Sequence, residues 1–322
     1  MIMSNRSSIA KIGKPSTLWE RIVKDYKKYA GAYLMVLPVL VFFILFSYKP
    51  MFGALIAFKD FSPRRGIFGS AWAGSYGFEH FLNFFNSFFF VRLLRNTVVI
   101  STAGIIFDFP VPIIFALMIN EVKNNRFKKS VQTISYMPHF ISLVVVCAMI
   151  RLFVAENGFI VQIMRNFGYG GNQNLLNVPS AFVPIYILSG IWQNAGWNCI
   201  IYLAALAAID MELYEAARID GASRWKQTIH VTLPGLSGTI ILLLILRIGQ
   251  LMSVGHEKII LLYNDFIMER ADVISSYVFR RGLVNGDWSF STAVGLFNSV
   301  INFTLVVLAN KLSNKVSGKG IW

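Results

Sequence analysis

Residues 215–234 read EAARIDGASRWKQTIHVTLP, a polar stretch set between two long apolar runs. Leu213, Ala216, Ala217 and Ile219 give it a small apolar face at helical spacing, while Glu215, Arg218, Asp220 and Arg224 decorate the other side. The pattern predicts two short helical pieces broken at Gly221, a residue that tolerates positive φ and lets the chain reverse. Glu215 with Arg218, and Asp220 with Arg224, fall at i, i+3 and i, i+4, where an ion pair contributes about 0.2–0.5 kcal/mol. Pro234 suits the first turn of the next helix, where its missing N–H costs nothing. The connection is longer than a tight turn between two helices requires, and its alanines allow a partner's backbone to come close.

The runs on either side decide the class. With 55% hydrophobic and 14% charged residues and a mean hydropathy of +0.57, the chain is too apolar for a soluble globular domain. Apolar runs of roughly 20 residues, enough to cross a bilayer, fall at 30–48, 96–120, 130–151, 181–209, 236–255 and 288–310. The expectation is an all-α integral membrane protein with about six transmembrane helices. It divides into a segment 1–29, a six-span domain 30–310 with the polar connection 210–234 between spans four and five, and a tail 311–322. Residues 81–91 are aromatic but too short to span, and Asn83, Asn86 and Ser87 interrupt them, so they are read as interfacial. In the first segment, Leu18, Trp19, Ile22 and Tyr26 suggest an amphipathic surface helix. No small-residue cleavage site follows the first span, which is therefore read as retained.

Lysine and arginine counts orient the spans. With the first segment in the cytoplasm, the inner segments hold seven, four, three and three basic residues, and the outer segments six, two and four. Both termini and residues 215–234 are thus expected on the cytoplasmic side. The formal charge of +14 is spread over these loops rather than gathered into a basic patch interleaved with aromatics. Membrane lipid is the expected neighbour, and no nucleic-acid partner is expected. Cys147 and Cys199 lie in apolar runs and are read as small packing residues, not a disulfide. The sequence has no phosphate-cradling glycine loop with its lysine, no Cys/His metal spacing and no Gly-x-Ser-x-Gly elbow. Neither a catalytic site nor a metal or cofactor bound by this chain is expected.

The spacing of Glu215, Ala216, Ala217, Gly221, Val231, Leu233 and Pro234 resembles the cytoplasmic EAA loop of permease subunits in binding-protein-dependent ABC importers; Val231 stands where isoleucine is usual. Residues 200–220 (IIYLAALAAIDMELYEAARID) look like the carbohydrate branch of that family. Residues 136–142 (YMPHFIS), 272–283 (DVISSYVFRRGL) and 293–297 (AVGLF) look like its polysaccharide and oligosaccharide subgroup, which includes lipoprotein-associated polysaccharide and alginate importer permeases. The similarity runs over about residues 25–322. It implies a type I ABC importer permease fold in the inner (cytoplasmic) membrane of a bacterium. It further implies a heterodimer with a second homologous permease, an ATPase dimer that uses ATP and Mg, and an extracytoplasmic solute-binding protein that delivers a saccharide. The seven residues of the loop pattern would then couple the membrane domain to the ATPase.

A sugar pathway needs hydrogen-bonding groups beside aromatic faces. Trp192, Gln193, Asn194, Trp197 and Asn198 in span four supply both, although tryptophans also anchor spans at the interface and amides also tie helices together. Asn298 and Asn302 in span six are further candidates. Arg247 inside span five either meets an acidic sugar or pairs with an acid such as Asp108, because an arginine in a span needs a cavity or a partner. Asp108 precedes Pro110 and Pro112, where span two should bend or break, and is read as a cap. His139, beside Pro138, is read as a structural hydrogen-bonder. Lys258, Arg280 and Arg281 are placed on the outer side, toward the binding protein or solvent. A secondary transporter would need coupling carboxylates in its spans, and Asp108 stands alone there; a membrane enzyme would need clustered acids or histidines at one face.

Overall fold

A computed structural model describes Trp19, Tyr26 and residues 28–168, 170–171 and 174–321. The amphipathic helix expected before residue 29 lies largely outside these residues. The chain divides into two compact units, residues 1–55 and 56–322. The first contains α1, Ala30–Phe43, apolar on every side and with no buried residue, as a lipid-facing helix is. In the second, a two-stranded antiparallel ribbon, β1 (Lys59–Asp60) and β2 (Ala71–Trp72), pairs Lys59 with Trp72 and Asp60 with Ala71. The rest is helical: α2 (Glu79–Phe85), α3 (Phe90–Ala103), α4 (Pro110–Glu121), α5 (Asn125–Tyr136), α6 (Leu143–Phe153), α7 (Phe159–Asn166), α8 (Phe182–Ala207), α9 (Met211–Ile219), α10 (Arg224–Gln227), α11 (Leu233–Ile248), α12 (His256–Leu262), α13 (Ile274–Phe279) and α14 (Trp288–Ser317).

Among the described residues, four helical stretches are long and apolar enough to cross a membrane: Ala30–Phe58, Phe90–Glu121, Arg224–Ile248 and Trp288–Ser317. The span expected at 130–151 is not one straight helix. Asn125–Phe140 and Leu143–Phe153 meet at 98°, because Pro138 sits in a tight 3-10 turn, Met137–Phe140, and Ser142 caps a fresh helix by accepting from the Val145 N–H. The fourth expected span is α8, whose 26 residues reach about 39 Å but carry Gln193, Asn194 and Asn198 midway. The segment read as interfacial is α2, with its Phe84 buried against the rings of Phe90, Phe290 and Phe297; span two begins at Phe90, earlier than expected.

One device recurs. Three π turns, Ile44–Tyr48, Gly104–Asp108 and Thr228–Thr232, each end two residues before a proline: Pro50, Pro110 and Pro234. The residue before each proline, Lys49, Phe109 or Leu233, donates its N–H to a carbonyl five residues back. Proline has no N–H for the carbonyl four residues back, and its ring collides with that carbonyl. Widening the preceding turn by one residue accommodates the ring and keeps the helix going. Span two therefore runs unbroken through Pro110 and Pro112, and Asp108 makes no capping hydrogen bond, contrary to the reading of that aspartate as a cap.

Two apolar clusters hold the elements that matter for function. Ala116, Cys199, Tyr202, Leu206 and Leu236 lock α4, α8 and α11 together. Val146, Cys147, Phe182, Ile259 and Leu262 join α6, α8 and α12. Both cysteines are free and buried, as packing residues should be.

Candidate functional site

The polar connection is built by its backbone. Asp210 opens α9 by accepting from the Glu212 N–H at 3.0 Å. At the other end Gly221 adopts φ +74°. Its N–H bonds the Arg218 carbonyl, and the Ala222 N–H reaches back to Ala217 at 2.9 Å, the two bonds of a Schellman cap. Ser223 then caps α10 through the Lys226 N–H.

The second half departs from expectation. It is not a separate helical turn: α10 passes through the π turn Thr228–Thr232 into α11, one helix from Arg224 to Ile248. Pro234 therefore lies inside a continuous helix rather than at its first turn. Arg224 reaches Glu121 of α4 at 3.3 Å rather than Asp220, and Glu215 is exposed without the expected pairing to Arg218. The Tyr214 hydroxyl meets that of Thr232 at 3.0 Å and closes the two halves on each other. Val231 and Leu233 are half-buried above the buried Leu236, Ala216 is exposed and Ala217 half-buried. The apolar surface is larger than the sequence suggested. Besides Leu213 and Ile219 (86% exposed), it shows Met211 and Trp225 (73% exposed), the last of which was not singled out from the sequence.

A cavity of about 330 Å³ opens between α3, the π turn after it, α8, α11 and α12, and its polar lining includes Asp108, Gln193, Asn194, Asn198, Arg247 and Lys258. A neighbouring cavity of about 210 Å³ shares Asp108, Asn198, Arg247 and Gln250. Arg247 Nη2 lies 3.3 Å from Asp108 Oδ2, the ion pair that was one of the alternatives for this arginine. Asp108 Oδ1 is buried without a hydrogen-bond partner among the described residues. Lys258 is not an outer-surface charge: it is buried, donates to the Tyr186 carbonyl at 2.9 Å and sits 4.6 Å over the Tyr186 ring. Burial pushes its amine down to about 8, against the pull of nearby Asp108. Two glycines make room for the cationic heads: a Cβ on Gly104 would lie 3.1 Å from Arg247 Nη2, and one on Gly190 3.6 Å from Lys258 Nζ.

The other candidates separate from this cavity. Asn194 lines it, and its Oδ1 accepts from His139 Nδ1, 3.0 Å away; His139 stacks on Trp197 with ring centroids 4.7 Å apart. Trp192 and Trp197 are about half exposed and outside both cavities. Asn302 ties α14 to the turn after α11, accepting from the Met252 N–H and donating to Ser253. Asn298 lies outside both cavities with a buried, unpartnered Oδ1 among the described residues. Arg280 makes a two-pronged bond to the buried Asp272 at 2.9 and 2.6 Å, and Arg281, with its side chain 40% exposed, bonds Asp287 at 2.7 Å. Both arginines are paired within the chain and help hold the segment together. Asp108 and Lys258 were legible only as charges within or beside apolar runs; no spacing joins them, because they meet through the fold.

A family model described as "Binding-protein-dependent transport system inner membrane component" matches residues 108–317. The polygalacturonan/rhamnogalacturonan transport system permease protein YteP of Bacillus subtilis (strain 168) is 45% identical over 291 residues, 90% of this chain and 89% of its own. Protein LplB of the same organism is 41% identical, covering 90% of each chain. A chain of a bacterial alginate ABC transporter, crystallised in complex with an alginate pentasaccharide-bound periplasmic protein, superposes with a TM-score of 0.84 at 40% identity, covering 94% of this chain and 100% of that one. The chain is thus a member of the family of binding-protein-dependent transport system inner membrane components.

Proposed function

We propose that this protein is the transmembrane subunit of an ATP-driven importer for acidic oligo- or polysaccharides. It forms half of the pathway beside a second, similar permease. A solute-binding protein outside delivers the sugar, and an ATPase dimer inside uses ATP and Mg; this chain binds neither and catalyses nothing itself. The basic-residue bias supports placing both termini and residues 210–234 in the cytoplasm.

The observation that carries this reading is that one helix, Arg224–Ile248, bears exposed Trp225 at one end and cavity-lining Arg247 near the other, about 33 Å apart along its axis. A push on the capped element formed by Glu215, Ala216, Ala217 and Gly221 is passed through Val231, Leu233 and Pro234 to the walls of the cavity. Gln193, Asn194, Asn198 and Arg247 are the contacts assigned to the sugar. The names of YteP and of the alginate transporter support a uronate polymer as cargo, and the cationic lining suits one. The test is uptake of oligogalacturonate or alginate oligosaccharide into proteoliposomes holding the full assembly. Accumulation should require ATP and the binding protein; accumulation driven by an ion gradient without ATP sinks the proposal.

A further inference from the structure

We propose that Asp108 is a resident competitor for the cationic site that receives the carboxylates of the cargo: an arriving sugar carboxylate takes Arg247 from Asp108, and Asp108 reclaims it as the sugar leaves. This rests on the reading of the chain as an importer of acidic saccharides.

The protein contains two Arg–Asp pairs that differ in kind. Arg280 grips the buried Asp272 with two nitrogens at 2.9 and 2.6 Å, the geometry of a permanent bidentate bond. Arg247 touches Asp108 through one nitrogen at 3.3 Å, and its side chain, which lines the cavity, is 45% exposed. A guanidinium has five N–H donors and an ammonium three. Arg247 commits one donor and Lys258 one, the latter to a carbonyl. Asp108 in turn leaves Oδ1 buried and unpartnered among the described residues. Two cations face one carboxylate in a cavity of about 330 Å³, and the bare Gly104 leaves room beside the Arg247 guanidinium that a Cβ would crowd at 3.1 Å.

The chemistry follows from this imbalance. A bare arginine in a half-buried cavity is costly, so a weakly held internal carboxylate keeps it neutralised when no sugar is present. The same carboxylate prevents the site from binding its cargo too tightly, because transport needs occupancy that ends. Asp108 is thereby a specificity-determining residue: it sets the threshold that a neutral sugar gains nothing by crossing and an anionic sugar passes by exchange.

The purified transporter assembly, without its binding protein, is titrated with oligogalacturonate and with the methyl ester of the same oligosaccharide. The wild type should prefer the acid. Asp108→Asn should lower Kd for oligogalacturonate by about two- to fivefold, the range of one solvent-accessible ion pair, and leave the methyl ester unchanged. An unchanged or higher Kd for the acid in a normally assembled Asp108→Asn complex overturns the proposal. Asp108→Glu keeps the charge and lengthens its reach, so its Kd for the acid should rise; a fall, or no change, also overturns it. A wild type that binds acid and ester equally while still importing saccharide with ATP ends the exchange idea alone. Absence of ATP-dependent uptake of either form overturns the importer reading with it.

Discussion

The loop at 210–234 and the cavity between α3, α8, α11 and α12 are held by different means. The loop takes its shape from backbone bonds: an aspartate cap, a Schellman turn at Gly221 and a serine cap, with Met211, Leu213, Ile219 and Trp225 left bare around them. The cavity takes its character from three charged side chains, Asp108, Arg247 and Lys258, drawn together from three elements, with few bonds to spare. Surface residues of the loop are therefore replaceable without unfolding it, whereas replacing Asp108, Arg247 or Lys258 changes the charge balance of the cavity.

Substitutions can break this contrast. The largest effect is expected at Gly221→Pro, because proline's φ near −65° cannot reach +74° and its missing N–H removes the bond to Arg218. A local cost of about 3 kcal/mol should abolish saccharide-stimulated ATP hydrolysis while the protein still inserts in the membrane; retention of wild-type stimulation would show that the cap does not matter. Next, Trp225→Ala should leave thermal stability within about 0.5 kcal/mol, as for exposed positions away from such structural features, yet reduce co-purification of the ATPase subunits. Full recovery of those subunits would move the contact elsewhere. On the cavity side, Arg247→Ala should depress uptake of acidic oligosaccharide about tenfold, the order of one charge-assisted hydrogen bond of roughly 1.5 kcal/mol, and spare a methyl-esterified one. Equal losses for both sugars would make Arg247 a structural residue like Arg280.

The smallest expected effect is a pH dependence at Lys258, whose neighbours are Asp108, Arg247, Tyr186 and Cys147. Its amine is cationic below about 8, so uptake of acidic sugar should decline modestly as pH rises through that value, and Lys258→Arg should flatten the decline. The stability sign is opposite. Because the folded value lies below the unfolded one of about 10.4, the unfolded chain binds more protons between them, and the fold gains stability as pH rises through that window. A Lys258→Arg protein with the wild-type profile would assign the titration to another group.

Legibility divided along the same line. The reversal at Gly221 is readable because its signal is local, acting on N–H and C=O groups within five residues; the caps at Asp210 and Ser223 are equally local but were not singled out from the sequence. Helical class and the approximate spans were readable from apolar length alone. Most of what escaped depends on distant partners; the Arg247–Asp108 pair is the exception, expected because a charge within a span needs a partner. Arg224 was given to Asp220 by spacing but belongs to Glu121, a hundred residues away in the chain. Lys258 and Arg280 looked like outer charges because hydropathy cannot show that Tyr186 or Asp272 waits beneath them. The break at Pro138 and the unbroken passage through Pro110 and Pro234 look alike in sequence; they differ because a π turn precedes the latter two and a 3-10 turn surrounds the first.

The π turn at Thr228–Thr232 has a consequence for the heading of the loop. Each residue of an α-helix turns its successor by about 100°, so one residue more or fewer between Trp225 and Arg247 swings everything before it in the helix to a different compass bearing. Deleting a single residue from 228–232 should leave α11 crossing the membrane as before and point Trp225 about a quarter-turn away. On the proposed function, the bearing at which the loop would meet an ATPase is thus written in the length of one turn, independent of which side chains the loop displays.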